Sequence, residues 1–452
     1  MRTEQDSLGK IQIPKDSYFG SFTARAQNNF KISGLTAPKS FKTALGLIKL
    51  AASKTNADLK ELDNKKAKAI KDATKEFIDG KFDKEFTLDI FQAGAGTSYN
   101  MNANEIIANR ANELLGGKKG RYEFVHPNNH VNMGQSSNDV IPTAIRIGTL
   151  FLLPQLLENI EKLEKTIALH SKELKNITKV GRTHLQDAVP ISMEQEFDAY
   201  KEAISSSKNL IQKSLKNMRI LGIGGTAVGT GITSHPDYKR TIIKHLKKLT
   251  GLELTSGKNL TERANNMNCF LNFSAALRSL AVNLINFSND LKLMNMGPKA
   301  GLNEIDLPKV QPGSSIMPGK VNPSIPECLE MICIQVMGND KAIELACQRS
   351  QFEVNVMGPV ILKNLYESIK ILTNGLEMFE KLCIRGLKVN KKRVKKLFNE
   401  SLCTATSLSP IIGYEKTAEL VNKALKNTRS IKEEVIAQNI LSKDQLKSIF
   451  KN

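Results

Sequence analysis

Residues 268 to 296 read NCFLNFSAALRSLAVNLINFSNDLKLMNM, and within them Phe270, Phe273, Leu277, Leu280, Leu284, Phe287, Leu291 and Met294 alternate spacings of three and four without a miss. Neither Gly nor Pro occurs between Gly257 and Gly297. A seam of this period belongs to an α-helix of bundle or coiled-coil type, because 3.6 residues per turn return such positions to one face. At ~1.5 Å per residue the helix spans about 50 Å. One narrow apolar stripe cannot bury itself. It needs partner helices, and if some of them come from other chains the protein is an oligomer.

The flanking sequence supplies the partners. Leu153, Leu157, Ile160, Leu163, Ile167 and Leu174 recur at helical intervals after Pro142, which suits a first helical turn, and Pro154 is expected to bend or restart that helix. Residues 326–357 and 360–382 also read as helix, with Gly338-Asn339-Asp340 a candidate bend, and shorter helices follow from about 385. Phe41 to Phe77 has one Gly and no Pro and is rich in Ala, Lys and Leu, which favours helix. Residues 1–40 carry Gly9, Pro14, Gly20, Gly34 and Pro38 and read as an irregular arm. No stretch sustains a period of two, so the fold class is all-α. Three segments are expected: 1–135, mixed helical and irregular; 136–360, the long-helix bundle; and 361–452, a small helical domain.

Lys and Arg number 65 against 45 Asp and Glu, a formal net charge of +20. The lysines are scattered, and the densest run, Lys391 to Lys396, reads as a solvated helix face. With Trp absent and no aromatics interleaved among the cations, nothing offers stacking platforms for bases, and no nucleic-acid partner is expected. The six cysteines form no Cys-x-x-Cys pair, which argues against a metal cluster or disulfide framework and for a reducing compartment. The N-terminus lacks an apolar signal core and no run of 18 apolar residues occurs, so a cytoplasmic protein is expected. No metal or other cofactor is anticipated. Gly222 to Gly231, GIGGTAVGTG, has no βαβ context and no Walker lysine, so its small residues are read as close packing rather than a nucleotide loop.

Polar loops lie between the helices. Gln92 to Asn104, QAGAGTSYNMNAN, puts Thr97 at a helix start behind glycines that let a ligand approach, although an ordinary N-cap reads equally well. Gln135-Ser136-Ser137-Asn138-Asp139 is both a good N-cap cluster and a good carboxylate cradle. Gly181 to Pro190, GRTHLQDAVP, reads as a shaped loop around Thr183 and His184. Residues 313 to 323, GSSIMPGKVNP, form a loop in which Lys320 sits among Ser314, Ser315 and Asn322.

These four blocks together resemble the fumarase/aspartase superfamily, whose signature loop follows the pattern Gly-Ser-Ser-x-Met-Pro-x-Lys-x-Asn. The resemblance runs over nearly the whole chain. It implies three all-α domains and a homotetramer whose central domains build a twenty-helix core, each active site being shared by three subunits. It also implies removal of a proton next to a carboxylate and expulsion of a β leaving group, which requires a base, a cradle for two carboxylates and stabilisation of an aci-carboxylate dianion.

By the family pattern Ser314 is the base, while His184 pairs with Glu327 and handles the leaving water or amine. Lys320 and Asn322 clamp one carboxylate, with Ser315 beside them. Thr97, Ser136, Ser137, Asn138 and Thr183 supply neutral donors. Ser137, and stretches such as Val125-His126-Pro127-Asn128, are closer to class II fumarases, which implies hydration of fumarate to L-malate. Gly94-Ala95-Gly96-Thr97-Ser98 and Gly301-Leu302-Asn303-Glu304-Ile305 lean towards aspartases, so aspartate ammonia-lyase activity is the alternative. The fumarase second anion site is partly matched, by His126 and Asn128, with Asn129 in place of the acid.

Overall fold

In the computed structural model, which describes residues 1–450, every seam position from Phe270 to Met294 is at most 3% exposed. The seam lies on the helix Asn268–Asn295 and is covered within the chain. Four other long helices accompany it: Ser137–Glu173, Met193–Met218, Ser324–Cys347 and Gly358–Phe379. The chain divides into two compact units, and all five long helices contribute residues to both. Unit one comprises Met1–Leu157, Asn209–Ser279 and Ile334–Leu372; unit two comprises Glu158–Lys208, Leu280–Cys333 and Thr373–Asn452.

In unit one, the helices Lys39–Asp58, Asn64–Ile78 and Thr97–Leu114 pack around Phe41, Phe77, Phe86 and Tyr99, whose rings meet at centroid distances of 5.5 Å. The arm expected to be irregular is ordered. Its strands Arg2–Asp6 and Gly9–Ile13 form a hairpin, and Asp6 holds Arg25 of the helix Ser21–Asn29 in a two-point ion pair. The start of that helix is fixed by Glu105, a buried carboxylate that accepts the N–H groups of Gly20, Phe22 and Thr23.

Unit two has its own aromatic centre, where Tyr200 stacks on Phe287 at 4.5 Å and Phe379 meets Phe287 edge-on at 5.7 Å. The C-terminal helices Tyr414–Lys426 and Ile431–Ala437 close on Leu408, Leu420, Ile431 and Val435. Ser430 and Glu433 form a capping box at the second of them.

Pro154 does not restart its helix, which is continuous from Ser137 to Glu173. The helix Ser324–Cys347 is likewise unbroken at Gly338. The shaped loop expected at 181–190 is part of a hairpin of two antiparallel strands, Thr178–Thr183 and Gln186–Ser192. Strand pairing is otherwise confined, among the described residues, to other two-stranded ribbons and an isolated bridge between Thr36 and Asp89, so the all-α framework stands. The helix Ser137–Glu173 is long and apolar enough to cross a membrane, yet 72% of its most apolar window is buried inside the protein, as in a core helix.

Candidate active site

The block at 135–139 opens the long helix Ser137–Glu173 in unit one, and its local conformation is set by hydrogen bonds rather than packing. Asp139 reaches back to accept the N–H of Ser136 at 2.9 Å, and its other oxygen accepts the N–H groups of Gly224 and Thr226. Asn138 donates its side-chain amide to the carbonyl of Ala227. The glycine-rich stretch therefore braces this block. Gly229, at φ +87°, approaches Thr261 so closely that a Cβ would lie 2.1 Å from its backbone nitrogen. Gly96, at φ +70°, similarly seats the start of the Thr97 helix against Ile141. Thr97 stands at that start, half-buried, with its hydroxyl 3.5 Å from the carbonyl of Gly94.

Behind Ser137 lies a buried polar network. Lys49, 1% exposed, donates to Asn100 Oδ1 at 2.6 Å, Gln135 Oε1 at 2.9 Å and Asn132 Oδ1 at 3.1 Å. Asn100 in turn donates through Nδ2 to the hydroxyl oxygen of Ser137 at 3.1 Å. Burial pushes the Lys49 ammonium down to about 7, opposed by the charge of Asp139. Burial also pushes the Asp139 carboxyl up to about 7, against the three backbone N–H groups it accepts.

The sequence gives Lys49 and Asn132 no evident role, and Asn100 and Asp139 stand in it only as members of the polar blocks 92–104 and 135–139. One signal was available: Lys42 and Lys49 fall seven apart on the face of the Phe41 helix that also carries Leu45, Ile48 and Ala52, all buried.

The candidate second anion site is also in unit one. His126 accepts the N–H groups of Asn128 and Asn129 at its Nδ1, so the ring proton sits on Nε2, and burial lowers its pKa. Asn128 and Asn129 are exposed on the single turn that follows.

In unit two, Thr183 ends one strand and pairs with Gln186, leaving His184 and Leu185 as a two-residue turn. Both turn residues have positive φ, +54° and +60°, the arrangement of a type I′ hairpin built without glycine. Each costs about 1–2 kcal/mol relative to right-handed backbone, and strain of this kind persists where the surroundings hold it. Here they do. Lys179, nearly buried, lies 2.9 Å from the fully buried Glu304 and 2.8 Å from Glu196, and Arg182 donates to Glu304 at 2.9 Å. Beyond the turn, Asp187 accepts the N–H of Leu402. His184 itself is exposed.

The loop 313–323 closes on itself through Gly313 N–H to Lys320 O at 2.8 Å and Asn322 Nδ2 to Gly313 O at 2.8 Å. Within it the hydroxyl oxygen of Ser314 accepts two backbone N–H groups, from Ile316 at 3.2 Å and Met317 at 3.0 Å. Ser315 and Lys320 are exposed, and among the described residues the Lys320 ammonium meets no carboxylate. Glu327 lies in the first turn of the helix that follows. The structure brings Ser314, Lys320 and Asn322 into one loop. It does not pair His184 with Glu327 within the chain, and no His, Cys, Asp or Glu cluster able to hold a metal occurs among the described residues.

A family model described as lyase matches residues 9–338, and one described as fumarase C C-terminus matches residues 405–451. The chain is 43% identical over 450 residues to an aspartate ammonia-lyase of Bacillus sp, covering 100% of this chain and 96% of that protein. It is 41% identical over 444 residues to a class II fumarate hydratase of Brucella suis, covering 98% and 96%. Among solved structures, a class II fumarase from Schistosoma mansoni superposes with a TM-score of 0.96 at 36% identity, covering 100% of this chain and 98% of that one. With the signature loop, the hairpin and the helix-start block all carried on this framework, the chain belongs to the lyase superfamily that holds the class II fumarate hydratases and the aspartate ammonia-lyases.

Proposed function

We propose that the protein is a fumarate hydratase, adding water reversibly and in the anti sense to fumarate to give L-malate. The observation that carries the chemistry is the Ser314 oxygen with two backbone N–H groups on it. A free serine hydroxyl is a poor base at neutral pH, and oriented N–H donors are what stabilises the alkoxide form. In the dehydration direction Ser314 takes the proton from the carbon next to a carboxylate, and the negative charge moves onto that carboxylate as an aci-carboxylate. Lys320 and Asn322, with Ser315 beside them, hold that carboxylate. Thr97, Ser136, Ser137, Asn138 and Thr183 donate to the substrate as neutral groups, which avoids crowding like charges around a dianion. His184, paired with Glu327 of another copy of the chain, protonates the departing hydroxide.

Ser137 favours hydration over deamination, since aspartases carry Thr at this place in the block. Ala95 and the Gly301–Ile305 stretch favour the second reading, aspartate ammonia-lyase, and the relatives divide between the two activities. We further propose a cytoplasmic homotetramer of three-domain subunits (1–135, 136–360, 361–452). The five long helices of each chain would then supply a twenty-helix core. Met331 and Ile334 on the helix Ser324–Cys347, 68% and 63% exposed, support further burial of that helix.

Parallel assays on one sample, following fumarate absorbance with L-malate and then with L-aspartate, test the reading. Fumarate from malate alone is expected; fumarate and ammonia from aspartate would move the assignment to the ammonia-lyase.

A further inference from the structure

Three side-chain carbonyl oxygens, those of Asn100, Asn132 and Gln135, surround Lys49 Nζ, which donates to all three only as the protonated ammonium. Each amide is oriented by that contact, because an ammonium donates and never accepts. With their oxygens turned to Lys49, the NH2 groups must find acceptors elsewhere. Gln135 donates to the carbonyl of Val131 at 2.9 Å and Asn132 to the carbonyl of Gln135 at 3.2 Å, while Asn100 donates both to Asn132 Oδ1, which Lys49 also holds, and to the hydroxyl of Ser137, each at 3.1 Å.

The last of these has a chemical consequence. Since Ser137 accepts from Asn100, its own proton is not spent on the protein there. Were the Asn100 amide reversed, the hydroxyl would donate to Oδ1 and present only lone pairs outward. A carboxylate is an acceptor only, so lone pairs would repel it and a free O–H would bind it.

We infer that Lys49 is a positioning residue for substrate: through Asn100 it fixes Ser137 as a hydrogen-bond donor, so that this part of the site selects a carboxylate oxygen. The inference rests on the reading of Ser137 as a substrate-binding residue. Lys49 touches no substrate; its role is to set the direction of one hydrogen bond.

The test is steady-state kinetics on the purified oligomer, with whichever of L-malate and L-aspartate it converts to fumarate. The variants are Ser137→Ala, Lys49→Met, Asn100→Asp and the two doubles with Ser137→Ala, each checked by thermal unfolding. Asn100→Asp retains an oxygen for Lys49 while offering Ser137 only acceptors, so it carries the test where Lys49→Met does not fold. Each single variant is expected to raise KM about tenfold or more, the scale of one hydrogen bond to a charged group, with a smaller change in kcat. In the Ser137→Ala background, Lys49→Met and Asn100→Asp are expected to change KM less than about twofold, because the bond they direct is already gone. Effects that multiply in full with that of Ser137→Ala would overturn the inference and leave the Ser137 reading intact. A Ser137→Ala enzyme with unchanged KM would overturn both.

Discussion

The backbone N–H of Met317 stands 3.0 Å from the hydroxyl oxygen of Ser314, three residues earlier in the same loop. A hydroxyl that accepts two N–H bonds is prepared to carry negative charge on oxygen, and the donors belong to a loop that Gly313 and Lys320 close. Ser314→Ala removes the oxygen and the two N–H bonds it accepts, while the loop's closure through Gly313, Lys320 and Asn322 stays in place. Turnover is expected to fall by roughly 10²–10⁴, the usual range for a lost general base, with an unchanged elution volume on size exclusion. Near-normal turnover would remove Ser314 from the base role.

His184 is held at φ +54° at the tip of the Thr178–Ser192 hairpin. Asn is among the residues best tolerated in that conformation, so His184→Asn keeps the turn and deletes the imidazole. The variant is expected to lose about 10²-fold or more in kcat and to lose the limb of the pH–rate profile that belongs to the water-activating group. A profile with both limbs intact would assign that group to another residue.

Legibility in the sequence followed the range of the interaction that decides each feature. The Phe270–Met294 seam was plain because helical periodicity is local, and all eight positions are buried. The Thr178–Ser192 hairpin was not, because its first strand is held by an ion-pair cluster at Glu304, more than a hundred residues away, and its turn lacks the glycine that marks type I′. Ser136, Ser137 and Asn138 were legible as a polar block. The network behind them was not, since Lys49 is one lysine among many in this chain and only the fold brings it to Asn100 and Gln135.

Glu105 supplies a pH test of the fold that is independent of catalysis. Burial pushes its carboxyl up to about 7, against the N–H groups of Gly20, Phe22 and Thr23. A pKa raised on folding contributes stability that is fully present below the unfolded value, about 4.3, and is lost as pH rises through about 7. Glu105→Gln does not titrate. The stability of the native protein relative to this variant is therefore expected to decline from pH 4.5 to pH 8, by on the order of a few kcal/mol. Denaturant unfolding at both pH values measures it; a constant difference would mean that the three N–H bonds already keep the carboxylate ionised at the lower pH.

His184 and Glu327 both belong to unit two, yet no ion pair joins them within the chain. If each site draws its residues from different copies, as proposed, one oligomer carrying two different defects can assemble intact sites. Ser137→Ala and His184→Asn place their losses on different segments of the chain. Mixed as separate homo-oligomers, allowed to exchange subunits and assayed at substrate well below KM, where Ser137→Ala costs turnover, they are expected to exceed the average of the two unmixed parents, because some sites draw Ser137 from one parent and His184 from the other. The recovered rate should grow with the extent of exchange, followed by mass spectrometry of differently labelled chains. Full exchange without recovered activity would place Ser137 and His184 of each site on one and the same chain.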